Sequence, residues 1–174
     1  MHNEDTEVSQ SIEIETQRFK EIFKGNPRVV LLAGGGGYIG LCIANTLASK
    51  GIKVLIMDNF IYNHGKSLLS SLLNKNIKFF QLDLRDELEV DFFKKNNITD
   101  VVVLAGLVGD PITKKYPKLS DDINNKAIKG FINSANGQGL NKFIFISTCS
   151  NYGLIKDGEK ADENFELNPL SLYA

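Results

Sequence analysis

The chain is poor in cysteine, and this shortage narrows the chemistry that its 174 residues can support. The two cysteines are Cys42 and Cys149, and neither belongs to a CxxC pair or has a histidine close to it in sequence. Disulfide frameworks and zinc sites need several cysteines or histidines at short spacing. The sequence therefore indicates no disulfide framework and no bound metal, and we predict that both cysteines are reduced packing residues.

An excess of positive charge is also missing. The 20 Lys and Arg residues are balanced by 21 Asp and Glu residues, which leaves a net charge of −1. Binding to the phosphate backbone of a nucleic acid requires a clustered surplus of Lys and Arg. The composition therefore argues against a nucleic-acid partner and favours chemistry on small molecules.

Long apolar runs are absent as well. The longest runs, such as Val101 to Val108, are far shorter than the ~20 residues that span a bilayer, and residues 1–10 are polar and acidic, unlike a signal peptide. We therefore expect a cytoplasmic protein with no membrane contact. The 43% of hydrophobic and 24% of charged residues are ordinary for a globular protein, and the length suits one compact domain.

What the sequence does contain is a regular alternation of strand and helix patterns from residue 28 onward. Predicted strands cover 28–33, 53–57, 77–81, 100–104 and 142–147, and predicted helices cover 38–50, 66–73, 86–96 and 117–137. Near-continuous apolar strands suit a parallel sheet that is covered on both faces. We predict an α/β fold, a Rossmann-type doubly wound parallel sheet.

The first 25 residues differ from this pattern. Ile12, Phe19, Ile22 and Phe23 recur at roughly helical spacing among polar residues, until residues 25–27, Gly-Asn-Pro, break the run. We predict a helical or partly disordered extension over 1–25 and one nucleotide-binding domain over 26–174. The extension packs on its own domain or serves a partner or an oligomer, and the sequence leaves these alternatives open.

The strongest motif is a glycine-rich turn between a predicted buried strand and a predicted helix. Gly34, Gly37 and Gly40 form the pattern G-x-x-G-x-x-G. In a dinucleotide site, Gly34 would allow the tight turn, Gly37 would let the backbone approach a pyrophosphate, and Gly40 would let the helix pack closely on the sheet. The N-terminus of the helix then offers N–H groups and a positive dipole end to the phosphates. A flexible linker is the alternative, but the flanking strand and helix favour dinucleotide binding.

The second predicted strand is followed by Asp58, which lies 18 residues beyond Gly40. At about this spacing a carboxylate bonds to the adenosine ribose hydroxyls. It also repels a 2′-phosphate, and residues 59–61 include no Arg or Lys to hold one. We therefore predict NAD rather than NADP, with a simple turn-forming role for Asp58 as the alternative.

Several motifs in the same order resemble a known group, the extended short-chain dehydrogenase/reductases, which include the NAD-dependent nucleotide-sugar epimerases and dehydratases. The resemblance runs from about residue 28 to the last residue. It rests on Asn124 and on residues 34–40, 58–60, 81–86, 104–111, 147–153 and 169–174. One departure is the stretch Val103 to Gly106, where the family usually has His-Leu-Ala-Ala.

The resemblance implies roles for individual residues. Asp83 and Leu84 would flank the adenine, Ala105 and Gly106 would line the ribose on the nicotinamide side, and Asn124 would brace the active site. Taken without the family, Asp83 is a possible loop or capping residue, and Asn124 is a polar residue on a helix surface. The full set of implied NAD contacts is Gly34, Gly37, Tyr38, Ile39, Gly40, Asp58, Asn59, Asp83, Leu84, Leu104, Ala105, Gly106, Asn124 and Ser147.

The resemblance also implies the catalytic residues. The family uses a Ser or Thr together with the tyrosine of a Tyr-x-x-x-Lys motif, and Thr148 and Tyr173 are 25 residues apart, as in that layout. A tyrosine acts as a base near neutral pH only if its phenolate is stabilised, normally by a nearby lysine and the positive nicotinamide ring. Thr148 would hydrogen-bond the substrate oxygen that gains or loses the proton. An ordinary half-buried tyrosine is the alternative for Tyr173.

Two further positions bear on the substrate. Sugar dehydratases have Asp-Glu directly after the threonine, whereas this chain has Cys149 and Ser150, which disfavours dehydration. Asp110 and Ser150 are candidate contacts to a nucleotide-sugar substrate, although Asp110-Pro111 also matches a plain helix start.

We therefore expect an NAD-dependent nucleotide-sugar epimerase or related oxidoreductase, with a homodimer as a possible assembly. A non-catalytic NAD-binding or sensing module is the alternative from a different class, and a ketoreductase or dehydratase is the alternative within the family. Because the sequence stops one residue after Tyr173, we also expect an N-terminal portion of a longer enzyme that lacks the motif's lysine and the substrate domain. Such a portion would hold NAD without turning over substrate.

Overall fold

The structure is a computed structural model that describes residues 27–62, 65–171 and 173–174. The predicted extension over 1–25 lies outside these residues. A single parallel five-stranded sheet has the order β3-β2-β1-β4-β5. Its strands are β1 (Val29–Ala33), β2 (Lys53–Asp58), β3 (Ile77–Gln81), β4 (Asp100–Val103) and β5 (Lys142–Phe145). The predicted doubly wound parallel sheet is confirmed.

The helices lie between these strands in sequence. They are α1 (Tyr38–Ser49), α2 (Gly65–Leu72), α3 (Phe92–Lys95), α4 (Asp110–Lys115), α5 (Pro117–Ser120) and α6 (Ile128–Ala135). A π-helical segment, Asp121–Ala127, joins α5 to α6, and a 3₁₀ turn, Cys149–Tyr152, follows β5. None of the helices in the described ranges is long and apolar enough to cross a membrane.

The core lies on both faces of the sheet, and β1 contributes to both. Val29 and Leu31 belong to a cluster with Phe93 and Phe131, whereas Val30 and Leu32 belong to a second cluster that α1 covers. All of β1 is buried, as expected for the centre of a parallel sheet with helices on each side. The carboxyl ends of the strands, from which the chain continues toward the helices, are thereby held in fixed positions.

The edge strand β5 is different, because all four of its residues are exposed. Phe143, Ile144 and Phe145 are 38 to 47% exposed despite their apolar side chains. The strand is nevertheless fixed by its parallel register with β4, in which Val103 pairs with Phe145. The carboxyl ends of β4 and β5 therefore lie side by side, and the chain leaves both strands on the same side of the sheet.

Two helix predictions differ from the structure. The predicted helix over 86–96 is wrong for its first half, because only Phe92–Lys95 is helical. Phe92 and Phe93 are buried there, whereas Val90 is 97% exposed, so the first half has little apolar surface to pack and short helices are marginal without packing. The predicted helix over 117–137 is continuous from 117 to 135 but changes to a π-helix in its middle.

The prediction that both cysteines are packing residues is wrong. Cys42 and Cys149 are free and exposed. Cys42 lies on the outer face of α1, and Cys149 begins the 3₁₀ turn after β5, so neither side chain reaches the core.

Candidate functional site

A cleft of about 940 Å³ opens at the carboxyl ends of the parallel strands. In open α/β sheets, ligands bind at the carboxyl ends of the strands. Every residue for which an NAD contact was predicted lines this cleft, and so do Thr148 and Tyr173. Residues that are far apart in sequence therefore meet at one site because the strands that precede them are parallel and in register.

The glycine turn after β1 forms the floor of the cleft. Gly34 has a φ of +80°, and its N–H donates to the Met57 carbonyl at 2.7 Å. A Cβ at Gly34 would collide with the backbone of Ala105, which follows β4. Gly34 is thus required twice, by its backbone conformation and by the close approach of the two strand ends.

The motif's other glycines have different reasons. A Cβ on Gly40 would meet the backbone of Gly35, so Gly40 packs on the turn itself rather than on the sheet as predicted. A Cβ on Gly36 would lie 2.9 Å from the Asp58 carboxyl group. Gly35 and Gly36 are variable positions in the motif, and their need for glycine could not be predicted from its spacing.

Gly37 is the glycine that faces open space. A Cβ there would have the Gly34 carbonyl, at 3.9 Å, as its nearest protein neighbour. Gly37 is the N-cap of α1 and has no side chain to cap it, and the first turn contains no acidic residue. The first amides of a helix lack intrahelical partners and carry its positive dipole end, so this end of α1 suits an anion.

Asp58 ties the end of β2 to the glycine turn. One carboxylate oxygen, Oδ2, accepts the Gly36 N–H at 2.8 Å, and Oδ1 accepts the Phe60 N–H at 2.7 Å. The second bond holds Phe60 at a φ of +54°, which is uncommon for a residue with a side chain. Each oxygen accepts one of these bonds and has capacity for a second, and Asp58 lines the cleft, so it both shapes the turn and remains able to accept ligand hydroxyls.

Asp83, after β3, is held by its neighbours. Arg85 donates to it from its backbone N–H and from its guanidinium, and Asn59 donates from its side-chain amide at 2.9 Å. The hydrogen bonds from the Arg85 guanidinium hold the pKa of Asp83 well below its usual range, although partial burial acts in the opposite direction. The carboxylate is therefore ionised, and it links the ends of β2 and β3.

Asn124 connects the chain after β4 to the long helix. Its Oδ1 accepts the Leu107 N–H at 2.7 Å, and its Nδ2 donates to the Leu107 carbonyl at 2.9 Å. Asn124 lies in the π-helical segment, a conformation that often marks functional sites. The side chain therefore clamps both backbone groups of Leu107 and fixes the loop that forms one wall of the cleft.

Thr148 lies just after the carboxyl end of β5. Its hydroxyl is the N-cap of the 3₁₀ turn, because it accepts the Ser150 N–H at 3.2 Å. It also donates to the Ser150 hydroxyl at 3.1 Å. Thr148 lines the cleft, and it therefore presents a hydroxyl of fixed orientation to a ligand.

Tyr173 reaches the same cleft through the segment that follows the 3₁₀ turn. The Asn168 N–H donates to the Asn151 carbonyl at 3.0 Å, and the rings of Tyr152 and Phe165 pack edge to face. A Cβ at Gly153 would collide with the Asn168 backbone. These contacts dock residues 162–168 against the turn, and Tyr173, further along this segment, lines the cleft.

The two predicted substrate contacts lie elsewhere. Asp110 is exposed at the start of α4, and Ser150 is exposed beside Thr148, and neither lines the cleft. Two exposed residues outside every motif do line it, namely Ile61 and Tyr62. The exposure of their apolar side chains marks them as candidate ligand contacts. This exposure can be known only after the fold has placed the strand ends together.

The fold and the cleft define the class of this protein. It is an α/β protein with a glycine turn of the dinucleotide-binding type at the carboxyl ends of its parallel strands. Residues 30–174 match the family model described as "NAD dependent epimerase/dehydratase family". The chain belongs to this family. The predicted family is thereby confirmed.

Curated relatives and solved structures agree with this assignment. The chain is 28% identical over 145 residues to the UDP-glucose 4-epimerase of Rhizobium meliloti, covering 83% of this chain and 42% of that protein. It is 30% identical over 159 residues to UDP-glucose 4-epimerase 2 of Oryza sativa subsp. japonica, covering 86% of this chain and 38% of that protein. The Thermus thermophilus UDP-glucose 4-epimerase in complex with NAD has a TM-score of 0.72 and 28% identity, covering 83% of this chain and 46% of that one. The chain thus spans less than half the length of these relatives.

Proposed function

We propose that this chain binds NAD in the cleft and contributes a threonine and a tyrosine to a nucleotide-sugar epimerase. The observation that carries the proposal is that Thr148 and Tyr173 line the same cleft as the glycine turn and Asp58. A site for a dinucleotide alone has no need of these two hydroxyls. Thr148 follows β5, so it would lie toward the nicotinamide half if the adenosine half were at β2 and β3.

The residues of the cleft fit NAD along its length. The amides at the start of α1 would hold the pyrophosphate, which passes Gly37 because no Cβ stands in its way. The free lone pairs of Asp58 would accept the adenosine ribose hydroxyls, and its charge would repel the 2′-phosphate of NADP. The chain between Leu104 and Gly106 would line the nicotinamide end.

The reaction then divides between the cofactor and the chain. Bound NAD supplies a hydride acceptor next to the sugar. The Thr148 hydroxyl would hydrogen-bond the sugar oxygen, and the Tyr173 phenol oxygen would take and return its proton. The nucleotide sugar is proposed as the substrate because the relatives that share this family are UDP-glucose 4-epimerases.

Dehydration is the less favoured reaction within the family. It requires an acid and a base to eliminate water, and the two residues after Thr148 are Cys149 and Ser150. One structural neighbour is an NAD-dependent NDP-hexosamine 5,6-dehydratase, with 25% identity, so the shared fold alone does not distinguish the two reactions. The residues at these positions favour epimerisation.

The test is the Tyr173→Phe substitution, assayed in the full chain as interconversion of UDP-glucose and UDP-galactose. Losing a general base costs about 10²–10⁴-fold in rate, whereas NAD affinity should be unchanged because the phenyl ring keeps its shape. Tyr152→Phe is the matched control, since Tyr152 packs on Phe165 outside the cleft lining. Full turnover by Tyr173→Phe would refute the catalytic assignment, and NAD binding without turnover by the unsubstituted complete protein would support the sensing module.

A further inference from the structure

The Asp83 carboxylate has no acceptor position left. An ionised carboxylate offers about four lone-pair positions on its two oxygens. The Arg85 backbone N–H and Nε occupy Oδ1, both at 2.9 Å. The Arg85 terminal nitrogen, at 2.7 Å, and Asn59 Nδ2, at 2.9 Å, occupy Oδ2. Three of the four donors belong to the same residue, Arg85.

This carboxylate lies where an adenine would need an acceptor. Asp58 marks the ribose end of the cleft, and the next strand end along the sheet carries Asp83, which lines the cleft together with Leu82 and Leu84. The exocyclic amino group of adenine is a hydrogen-bond donor, and a carboxylate accepts from such a donor more strongly than a neutral group does. The acceptor best placed to recognise adenine is therefore already in use.

We propose that Arg85 competes with the adenine amino group for Asp83 and thereby sets how well the cleft distinguishes adenine from other purines. The proposal rests on the proposed binding of NAD. When the dinucleotide enters, the guanidinium of Arg85 gives up at least one of its bonds to Asp83. The adenine amino group then takes the vacated lone pair.

Arg85, rather than Asn59, is the partner that yields. Asn59 is held at both ends of its amide, since its Oδ1 also accepts the Ile61 N–H at 3.1 Å. The Arg85 side chain is 44% exposed and also borders a second groove of about 520 Å³, together with Asp86, Glu87 and Asp122. The guanidinium therefore has other carboxylates within this groove to turn toward.

The experiment compares two ligands by titration calorimetry: NAD, and its purine analogue in which hydrogen replaces the adenine amino group. The measured quantity is the ratio of the two dissociation constants in each protein variant, that of the analogue divided by that of NAD. For the unsubstituted chain we expect a ratio within about twofold of one, and for Arg85→Ala a ratio at least about fivefold higher, because the amino group gains a charged acceptor. The ratio cancels the general loss of positive charge, which weakens both ligands equally.

Two control variants separate the effect of competition for Asp83 from the effect of losing a positive charge, and a third measurement checks that each variant is folded. Arg85→Lys keeps the charge but cannot form the paired contact, so its ratio should also rise. Lys95→Ala removes a positive charge from an exposed ion pair with Glu89, outside the cleft lining, and its ratio should equal that of the unsubstituted chain. Circular dichroism of each variant confirms that the comparison is between folded proteins.

The outcomes distinguish this inference from the function on which it rests. If the unsubstituted chain binds neither ligand, the proposed function fails and this inference fails with it. If the chain binds NAD but the ratio for Arg85→Ala stays the same or falls, Arg85 positions Asp83 rather than competing for it. The proposal is then overturned while NAD binding stands.

Discussion

Gly37 differs from its neighbouring glycines because nothing in the described part of the protein requires it to lack a side chain. Its φ is −76°, which any residue adopts, and the space around a Cβ there is open. Its one purpose in the proposed site is to leave room for a pyrophosphate. Gly34, by contrast, has a left-handed conformation and touches the Ala105 backbone.

A pair of alanine substitutions tests this difference. We expect Gly37→Ala to lower NAD affinity by about tenfold or more while costing no more than about 1 kcal/mol of unfolding free energy, the usual loss for alanine at an N-cap. Gly34→Ala should cost roughly 2–4 kcal/mol through strain and overlap. Urea unfolding and NAD titration measure both quantities, and undiminished NAD binding by Gly37→Ala would place the pyrophosphate elsewhere.

The Asp83 carboxylate also predicts a pH dependence of stability. Its pKa in the folded chain lies below the ordinary value of 3.8, chiefly because of the hydrogen bonds from Arg85. Its stabilising contribution is therefore present above that value and is lost as the pH falls through the range below it. Arg85→Ala removes the cause of the shift and with it this part of the stability.

We expect the gap in unfolding free energy between the unsubstituted chain and Arg85→Ala to be widest above about pH 5 and to narrow below about pH 4. Urea unfolding at a series of pH values measures the gap. Lys95→Ala serves as the reference, since Lys95 and Glu89 are both exposed and a surface pair contributes little. A gap that is constant from neutral to acid pH would show that Asp83 is not stabilised by Arg85.

At the scale of elements, the strands were predictable and some helices were not. The strand patterns of β1, β2 and β4 are apolar except for charged residues at the ends of β2 and β4, because both faces of the sheet are covered. Their predicted bounds match the structure to within about a residue or two, the usual disagreement at element ends. The helix over 86–96 was overextended because polar residues at its start favour a helix only weakly, and packing begins at Phe92. The π-helical turn at Asn124 depends on its bonds to Leu107, which no local pattern encodes.

Two glycines next to helices give a matched test at this scale. A Cβ at either Gly130, inside α6, or Gly51, after α1, would meet nothing within 4 Å, but only Gly51 has a positive φ, of +80°. We expect Gly130→Ala to raise the unfolding free energy by about 0.5–1 kcal/mol and Gly51→Ala to lower it by about 1–2 kcal/mol. Thermal unfolding of both variants provides the measurement, and equal shifts would contradict the difference in backbone conformation between the two positions.

At the scale of the whole molecule, the site arises from topology. The glycine turn, Asp58 and the Thr148 region could each be predicted from sequence because motif and strand pattern coincide, and the parallel sheet then brings them to one edge. The steric need for Gly36 could not be predicted, since it depends on the distance between the ends of β1 and β2. The bond from Asn59 that completes the saturation of Asp83 likewise joins the ends of two different strands. Such pairings are set by register rather than by local sequence.

We propose that NAD lies in the cleft with its adenosine ribose at Asp58. Calorimetric titration of the chain with NAD and with NADP tests this most directly. We predict saturable binding of NAD at a single site, with NADP weaker by about tenfold or more because the Asp58 carboxylate repels the 2′-phosphate. No binding of NAD, or equal affinity for the two dinucleotides, would contradict it.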